Sequence, residues 1–434
     1  MKQGLFMRKV TSLIGSLLIP LSFNAIAQDP KATIYLTFDD GPINASIKVI
    51  ETLNKHNVKG SFFFNAWHLD GIGDENEDRA LEALMLALNT GHMVANHSYD
   101  HMVHNCDGAN GENTAAACNA TGMHNVNSYR DPAYDYTFFP LNLAKLEQHV
   151  PNISSYDNYV ADQYARLPYT NGWRVAKSFK ADGLCATSDD YLPWDPNYVC
   201  DPDNPSNSSS NAMTLSDMLT NDSYQLFGWD LDWAPENWGI AMPANSLTEP
   251  EPFLEYVEAS INTCAPVTIE PVNSKSQNFP CDTPLHKDKV IVLTHEFLFE
   301  DGHRGMGETQ NIPKLDKFLD LALKAGYVFD TLDNYIPSWK PEVQYSVGEH
   351  VNHEGTIYIA QKAHYSQSDW APSLQSTLWY NADPATNWKL NVSYEQGDSV
   401  VYNGLQYTVI TAHVSQASWT PNSEPSLFLL AATQ

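Results

Sequence analysis

Asp39 and Asp40 stand side by side in Thr37-Phe38-Asp39-Asp40-Gly41-Pro42, and two histidines follow in His97-Ser98-Tyr99-Asp100-His101. Adjacent carboxylates repel unless a cation or a shared proton neutralises them. The imidazoles of His97 and His101, four residues apart, share a face if their segment makes a helical turn. One Asp with two His forms a facial triad that leaves metal positions open for water and substrate. The other Asp is then free to take a proton from that water. Such an arrangement is suited to metal-assisted hydrolysis. Taken singly, each pair has a plainer reading, a turn before Gly-Pro for the aspartates and a surface pair for the histidines. Together they favour the metal. His68, His92 and His104 lack the matching spacing or a strand-end position.

Further residues suit the same reaction. Arg166, in Arg166-Leu167-Pro168-Tyr169, can orient the free aspartate and keep it ionised. The backbone N–H of Tyr169, aimed by Pro168, can donate to a developing oxyanion. His295 ends the run Ile291-Val292-Leu293-Thr294-His295 and is not spent on metal, which makes it the candidate general acid. Asp232, in Asp230-Leu231-Asp232-Trp233, would fix its tautomer and raise its pKa. Trp233, Trp238 and Leu293 are candidate pocket walls, with core packing the alternative for Leu293.

The elements that must position these residues alternate in type. Strand candidates at 34–37, 60–64, 92–96, 163–166, 224–230, 290–295 and 327–330 interleave with helical stretches at 45–55, 77–88 and 312–325. This predicts an α/β domain with a parallel sheet, closed or distorted into a barrel. The polar residues above cluster where strands end, the active face of parallel barrels. Segments 100–158 and 182–221 read as loops too long for a plain barrel, suited to shaping a cleft.

The chain of 434 residues has a formal net charge of −28, which argues against nucleic acid and anionic membranes as partners, since both call for basic patches. Lys2, Arg8 and Lys9, an apolar stretch over 13–23 and Ala25-Ile26-Ala27 read as a signal peptide, with cleavage expected after Ala27. Secretion follows, with no membrane association afterwards, because the apolar stretch is too short to span. None of the six cysteines forms a Cys-x-x-Cys pair. In an exported chain they read as disulfides, and the close-spaced couples Cys106–Cys118, Cys185–Cys200 and Cys264–Cys281 are the expected pairing among the fifteen that six cysteines allow.

Past Ser338 the chain repeats with a period of 49 residues. Trp339 pairs with Trp388, Tyr345 with Tyr394, Gly348 with Gly397, Val351 with Val400, Tyr358 with Tyr407, His364 with His413 and Trp370 with Trp419. Phe428 replaces Trp379. A domain at 28–337 is therefore expected to precede two small all-β modules, at 338–383 and 387–432.

The five segments holding Asp39-Asp40, His97–His101, Arg166, Asp232 and His295 resemble the five motifs of the NodB-homology polysaccharide deacetylases, carbohydrate esterase family 4. The resemblance covers about 31–337. It implies a distorted (β/α) barrel, one divalent metal (zinc first, cobalt or manganese as alternatives) and removal of acetyl groups from sugars. Carried over, it makes Asp39 the base, Asp40, His97 and His101 the ligands, and His295 the acid. Arg166 would orient Asp39, Asp232 support His295, and Trp233 line the groove. The tail units are similar to carbohydrate-binding modules of families 5 and 12, with Trp370 and Trp419 as exposed rings that stack on sugars. The combination resembles bacterial chitin-oligosaccharide deacetylases. It implies a secreted monomer that acts on di-N-acetylchitobiose and short chitin oligomers at the reducing-end sugar, releases acetate and binds chitin. The rival readings are a deacetylase of acetylxylan or peptidoglycan and a non-catalytic chitin-binding protein.

Overall fold

A computed structural model describes residues 31–71, 76–101, 132–168, 171–175, 179–182, 208–234, 247–262, 289–300, 310–353, 356–382, 388, 392–402, 405–416 and 419–430. Its first part is built on one curled sheet. β1 (Thr33–Gly41) lies between β2 (Ser61–Phe64) and β9 (Lys289–His295). The order continues through β3 (Met93–Asn96), β4 (Tyr164–Ala165) and β7 (Gln225–Leu226) on one side, and ends at β8 (Leu231–Asp232) on the other. β10 (Val328–Phe329) pairs with the first residues of β1. These ladders are parallel. An antiparallel hairpin, β5 (Gly172–Val175) and β6 (Phe179–Asp182), extends the edge beyond β7.

β7 and β8 sit far apart in this order, yet only Phe227–Asp230 links them. So short a link spans at most about 18 Å, so the sheet must curl until those strands face each other. No ladder joins them among the described residues, and the barrel stays open at that seam. The distorted (β/α) barrel read from the sequence is the observed architecture.

β1 shows how the two cores divide. Ile34, Leu36 and Phe38 face outward, sharing a core with Val49, Ile50 and Leu53 of α1 (Asn44–Lys55) and Leu315, Phe318 and Leu319 of α7 (Asn311–Lys324). Tyr35 faces inward among Phe63, Trp173, Phe227, Ile291 and Tyr335. Strand alternation carries that inner face on to Thr37 and Asp39. The site therefore stands on an aromatic plug.

α2 (Glu77–Asn89) starts where its composition says it should. The Asn76 side chain accepts from the Asp78 and Arg79 N–H groups, and Glu77 and Asp78 complement the positive end of the helix dipole. The segments expected to be loops contain helices: α3 (Pro132–Tyr136) and α4 (Phe138–His149) in the first, α5 (Ser208–Asn221) in the second. α4 buries Phe138, Phe139, Asn142 and Leu146, so a polar residue at a core position masks its apolar period. α6 (Pro250–Asn262) is a further helix that the sequence reading did not anticipate.

Trp233 is a correction. It is 0% exposed, stacked on Phe253 of α6 at 4.8 Å and packed on Phe318 of α7 at 4.9 Å. Its indole N–H donates to the Thr248 carbonyl at 3.0 Å. It belongs to the outer core and walls no groove. Leu293 packs in the inner core, the alternative considered for it.

The tail repeats as two all-β units. In the first, β11 (Gln344–Tyr345) pairs with β14 (His364–Tyr365), and β13 (Thr356–Ala360) lies between β12 (His350–His353) and β15 (Trp379–Asn381). The second repeats this with β16 (Ser393–Tyr394), β17 (Ser399–Tyr402), β18 (Leu405–Val409), β19 (His413–Val414) and β20 (Phe428–Leu430). Gly348 and Gly397 have φ of 89° and 101°, a backbone that side chains other than hydrogen resist. His364 and His413 each set an imidazole edge on a core ring, Trp379 and Phe428, at 4.9 Å and 88°.

Because Trp233 fills a closed site between sheet and helices, Trp233→Ala is expected to cost about 3–5 kcal/mol of stability. Chemical denaturation of the two proteins measures this, and equal midpoints would return Trp233 to the surface of a groove.

Candidate active site

The site forms where β1, β3, β4, β8 and β9 end. β1 brings Asp39 and Asp40 there by breaking its own alternation. In its ladder with β2, Asp39 is opposite Phe63 and Gly41 is opposite Phe64, so Asp40 is an extra residue. Asp40 has φ of 76°, a strained backbone for a residue with a side chain. Such a bulge re-aims a side chain. Both carboxylates consequently meet His97, whose Nε2 is 3.6 Å from Asp39 Oδ2 and 3.4 Å from Asp40 Oδ1. His101 Nε2 lies 3.0 Å from Asp40 Oδ1.

The histidines do not share a helical face. The chain bends from Ser98 to His101, with φ of 63° at Ser98 and 56° at His101. The convergence was foreseen, but through the wrong local structure. Buried asparagines supply what a helix would have supplied. Asn65 Nδ2 donates to the carbonyls of His97 at 2.6 Å and Ser98 at 2.9 Å. Asn96 Oδ1 accepts from the Ser98 N–H at 3.0 Å and from Asn142 Nδ2 at 2.9 Å.

Ligand atoms of Asp40, His97 and His101 lie within 4.8 Å of one another, the one such grouping among the described residues. The donor set fits a divalent ion. His97 Nδ1 is 2.9 Å from the Arg166 carbonyl; a carbonyl only accepts, so Nδ1 carries the hydrogen and Nε2 presents its lone pair. Burial works against the charge of Asp40, but His101 and His97 outweigh it and hold its carboxyl well below the usual range. Zinc, cobalt and manganese all suit two imidazoles and one carboxylate.

Arg166 is 0% exposed. One of its Nη atoms donates to Asp39 Oδ1 at 2.8 Å and to Thr37 Oγ1 at 2.7 Å. Its Nε and second Nη donate to the carbonyls of Phe227 at 3.0 Å and Gly228 at 2.8 Å. Phe63 lies under the guanidinium at 4.3 Å. Asp39 is thus fixed on one oxygen, and its other oxygen faces His97.

His295 is the register partner of Asp39 on β9, and Asp232 pairs with Leu293, two residues before His295. Residues two apart on a strand share a face, so Asp232 lies diagonal to His295 on the inner face. The expected rise in the pKa of His295 is not found. Burial lowers it, and the carboxylates that push back are Asp40 and Asp39.

Residues 27–127 match the polysaccharide deacetylase family, and 338–380 and 387–429 each match carbohydrate-binding module family 5/12. The chitin disaccharide deacetylase of Vibrio alginolyticus is 68% identical over 367 residues, covering 84% of this chain and 86% of that one. The chain belongs to the polysaccharide deacetylase family. A peptidoglycan-N-acetylglucosamine deacetylase of Bacillus cereus is 38% identical over 72 residues, 16% of this chain and 23% of that protein.

For this member of the polysaccharide deacetylase family, Tyr169, Trp238, the six cysteines and residues 1–27 lie outside the described residues. Trp370 and Trp419 are half-buried in the tail modules, where they were expected to be exposed. Trp419 meets the ring of His413 at 6.3 Å. Sequence reasoning missed Asn65, Asn96, Asn142 and Glu296. The available signal was asparagine at strand ends, where it is depleted unless its side chain has work to do. Glu296 is buried beneath the aspartate turn and accepts from Ser46 Oγ at 3.3 Å. A Cβ on Gly41 would come within 2.2 Å of its Oε1, so the glycine is there to admit it. Burial first, then Asp40 and Asp39, push the Glu296 carboxyl well up.

Arg166→Met would strand Asp39 as a buried, unpaired charge. The variant is expected to lose about 3–5 kcal/mol at neutral pH, read by urea denaturation. Unchanged stability would mean that water replaces the guanidinium at no cost.

Proposed function

We propose that this chain is a secreted, metal-dependent hydrolase that removes N-acetyl groups from di-N-acetylchitobiose and short chitin oligomers at the reducing-end sugar, releasing acetate. The observation that carries the reading is the convergence of Asp39, Asp40, His97, His101, Arg166 and His295 at one end of the sheet. The V. alginolyticus relative supports the substrate class, and the paired tail modules support attachment to chitin. The basic, apolar and small-residue stretches before Gln28 support export. Among the described residues, no helix is long and apolar enough to cross a membrane.

Asp40, His97 and His101 would hold the ion, with zinc as the first choice. The chemistry such an ion supplies is Lewis acidity, which draws charge from an acyl oxygen and acidifies a neighbouring water. Asp39, fixed by Arg166, takes the proton of the attacking water on its free oxygen. The Tyr169 N–H is assigned to the developing oxyanion. His295, across the ladder from Asp39, gives a proton to the departing sugar nitrogen. Burial keeps its imidazole from holding that proton too tightly.

Asp39→Asn keeps the shape of the site and removes the base. Acetate release is expected to fall about 10²–10⁴-fold while metal binding persists; turnover like the wild type would sink the assignment. Removing metal with a chelator should abolish acetate release, and adding zinc should restore it. Side-by-side assays on chitobiose, acetylxylan and peptidoglycan test the substrate, and faster release from either polymer would displace the chitin reading. Trp370→Ala with Trp419→Ala is expected to weaken retention on insoluble chitin on the order of tenfold, as loss of two stacking rings implies.

A further inference from the structure

Between His97 and His101 the chain passes through Tyr99, and every polar group of that residue is tied down. Its N–H donates to the Phe138 carbonyl at 3.0 Å, and its carbonyl accepts from the Trp67 N–H at 3.2 Å. Its phenol, in a residue 4% exposed, donates to Asp70 Oδ2 at 2.7 Å. Asp70 closes the 3-10 turn Ala66–Asp70 and is gripped from α4, by Lys145 Nζ at 2.8 Å and His149 Nε2 at 3.0 Å. The residues flanking this anchor, Ser98 and His101, both carry positive φ. Non-glycine residues leave that region unless their surroundings over-determine it. The bend that presents the histidines thus depends on its attachments.

We propose that Asp70 is a positioning residue for the metal site, acting through the Tyr99 phenol to hold the His97–His101 bend in its ligand-presenting shape. The inference rests on reading Asp40, His97 and His101 as metal ligands. The protonation states agree with the geometry. Burial opposes the charge of Asp70, but Lys145, His149 and Tyr99 hold its carboxyl below the usual range. A purely structural role, pinning α4 to the turn, is the alternative.

The test is cobalt binding to the full-length chain after metal removal, by competition with a chromophoric chelator, with Tm measured alongside. Tyr99→Phe deletes the phenol O–H and leaves Asp70 with Lys145 and His149. Tyr99→Phe and Asp70→Leu are each expected to weaken cobalt binding about 10–100-fold. The double variant should bind no more weakly than the weaker single one, since both cut the same link. Wild-type affinity in Tyr99→Phe overturns the proposal whatever happens to Tm, and so does full additivity in the double variant. Should Asp70→Leu fail to fold, Tyr99→Phe alone decides. A wild type that binds cobalt no better than His101→Ala overturns the metal reading, and the inference with it.

Discussion

The site depends on one desolvated guanidinium. Arg166 stands on the inner face of an open barrel, over Phe63, where a lone charge would be prohibitively costly. Four hydrogen bonds offset that cost, and they tie two parts of the fold together: Asp39 and Thr37 on β1, and the Phe227 and Gly228 carbonyls. The last two belong to the short link that brings β7 round to β8. The same residue's carbonyl takes the Nδ1 hydrogen of His97. One residue therefore orients Asp39 through its side chain and His97 through its backbone, while bracing the seam where the barrel fails to close.

The asparagines do for the His97–His101 bend what Arg166 does for Asp39. Asn65 directly follows β2, Asn96 ends β3 and Asn142 lies in α4, and all are fully buried. A buried amide is tolerable only when its donors and acceptors are met. The Asn142 amide donates to the Phe64 carbonyl and its oxygen accepts from the Ala66 N–H, besides its bond to Asn96. The cost of burying them is offset by backbone groups that a bent, non-helical loop leaves open. A loop held this way keeps its shape before any ligand arrives, and pre-organisation of that kind is what a metal site needs.

What the sequence disclosed follows from which signals are local. Strand-end position and residue type are local, so the gathering of Asp39, Asp40, His97, His101, Arg166, Asp232 and His295 at strand ends was legible. The 49-residue period was legible because it repeats. What failed was set by tertiary surroundings. Trp233 beside Asp232 looked like a groove wall, but α6 and α7 cover it, and α6 was not anticipated. The spacing of His97 and His101 suits a helix, yet asparagine anchors hold Ser98 in a left-handed conformation, and His101 is left-handed as well. α4 escaped notice because Asn142 occupies a core position. The downward shift of His295 was illegible because burial is a property of the fold.

Two neighbouring aspartates can take different parts because the second, Asp40, is an extra residue in β1. In a regular strand, Asp39 and Asp40 would point to opposite faces, one toward the inner core and one toward the helices. The bulge at Asp40 returns the second carboxylate to the first one's side. The separation is then electrostatic as well as geometric: Asp39 is paired with a guanidinium, and Asp40 with two imidazoles. Behind them, Glu296 fills the space that a side chain at position 41 would claim, so the turn can neither flatten nor accept a larger residue. Burial and the two aspartates push the pKa of this third carboxyl well up. The strand break, the glycine and the buried acid form one device, and its effect is to set Asp40 against two imidazoles and turn one oxygen of Asp39 toward His97.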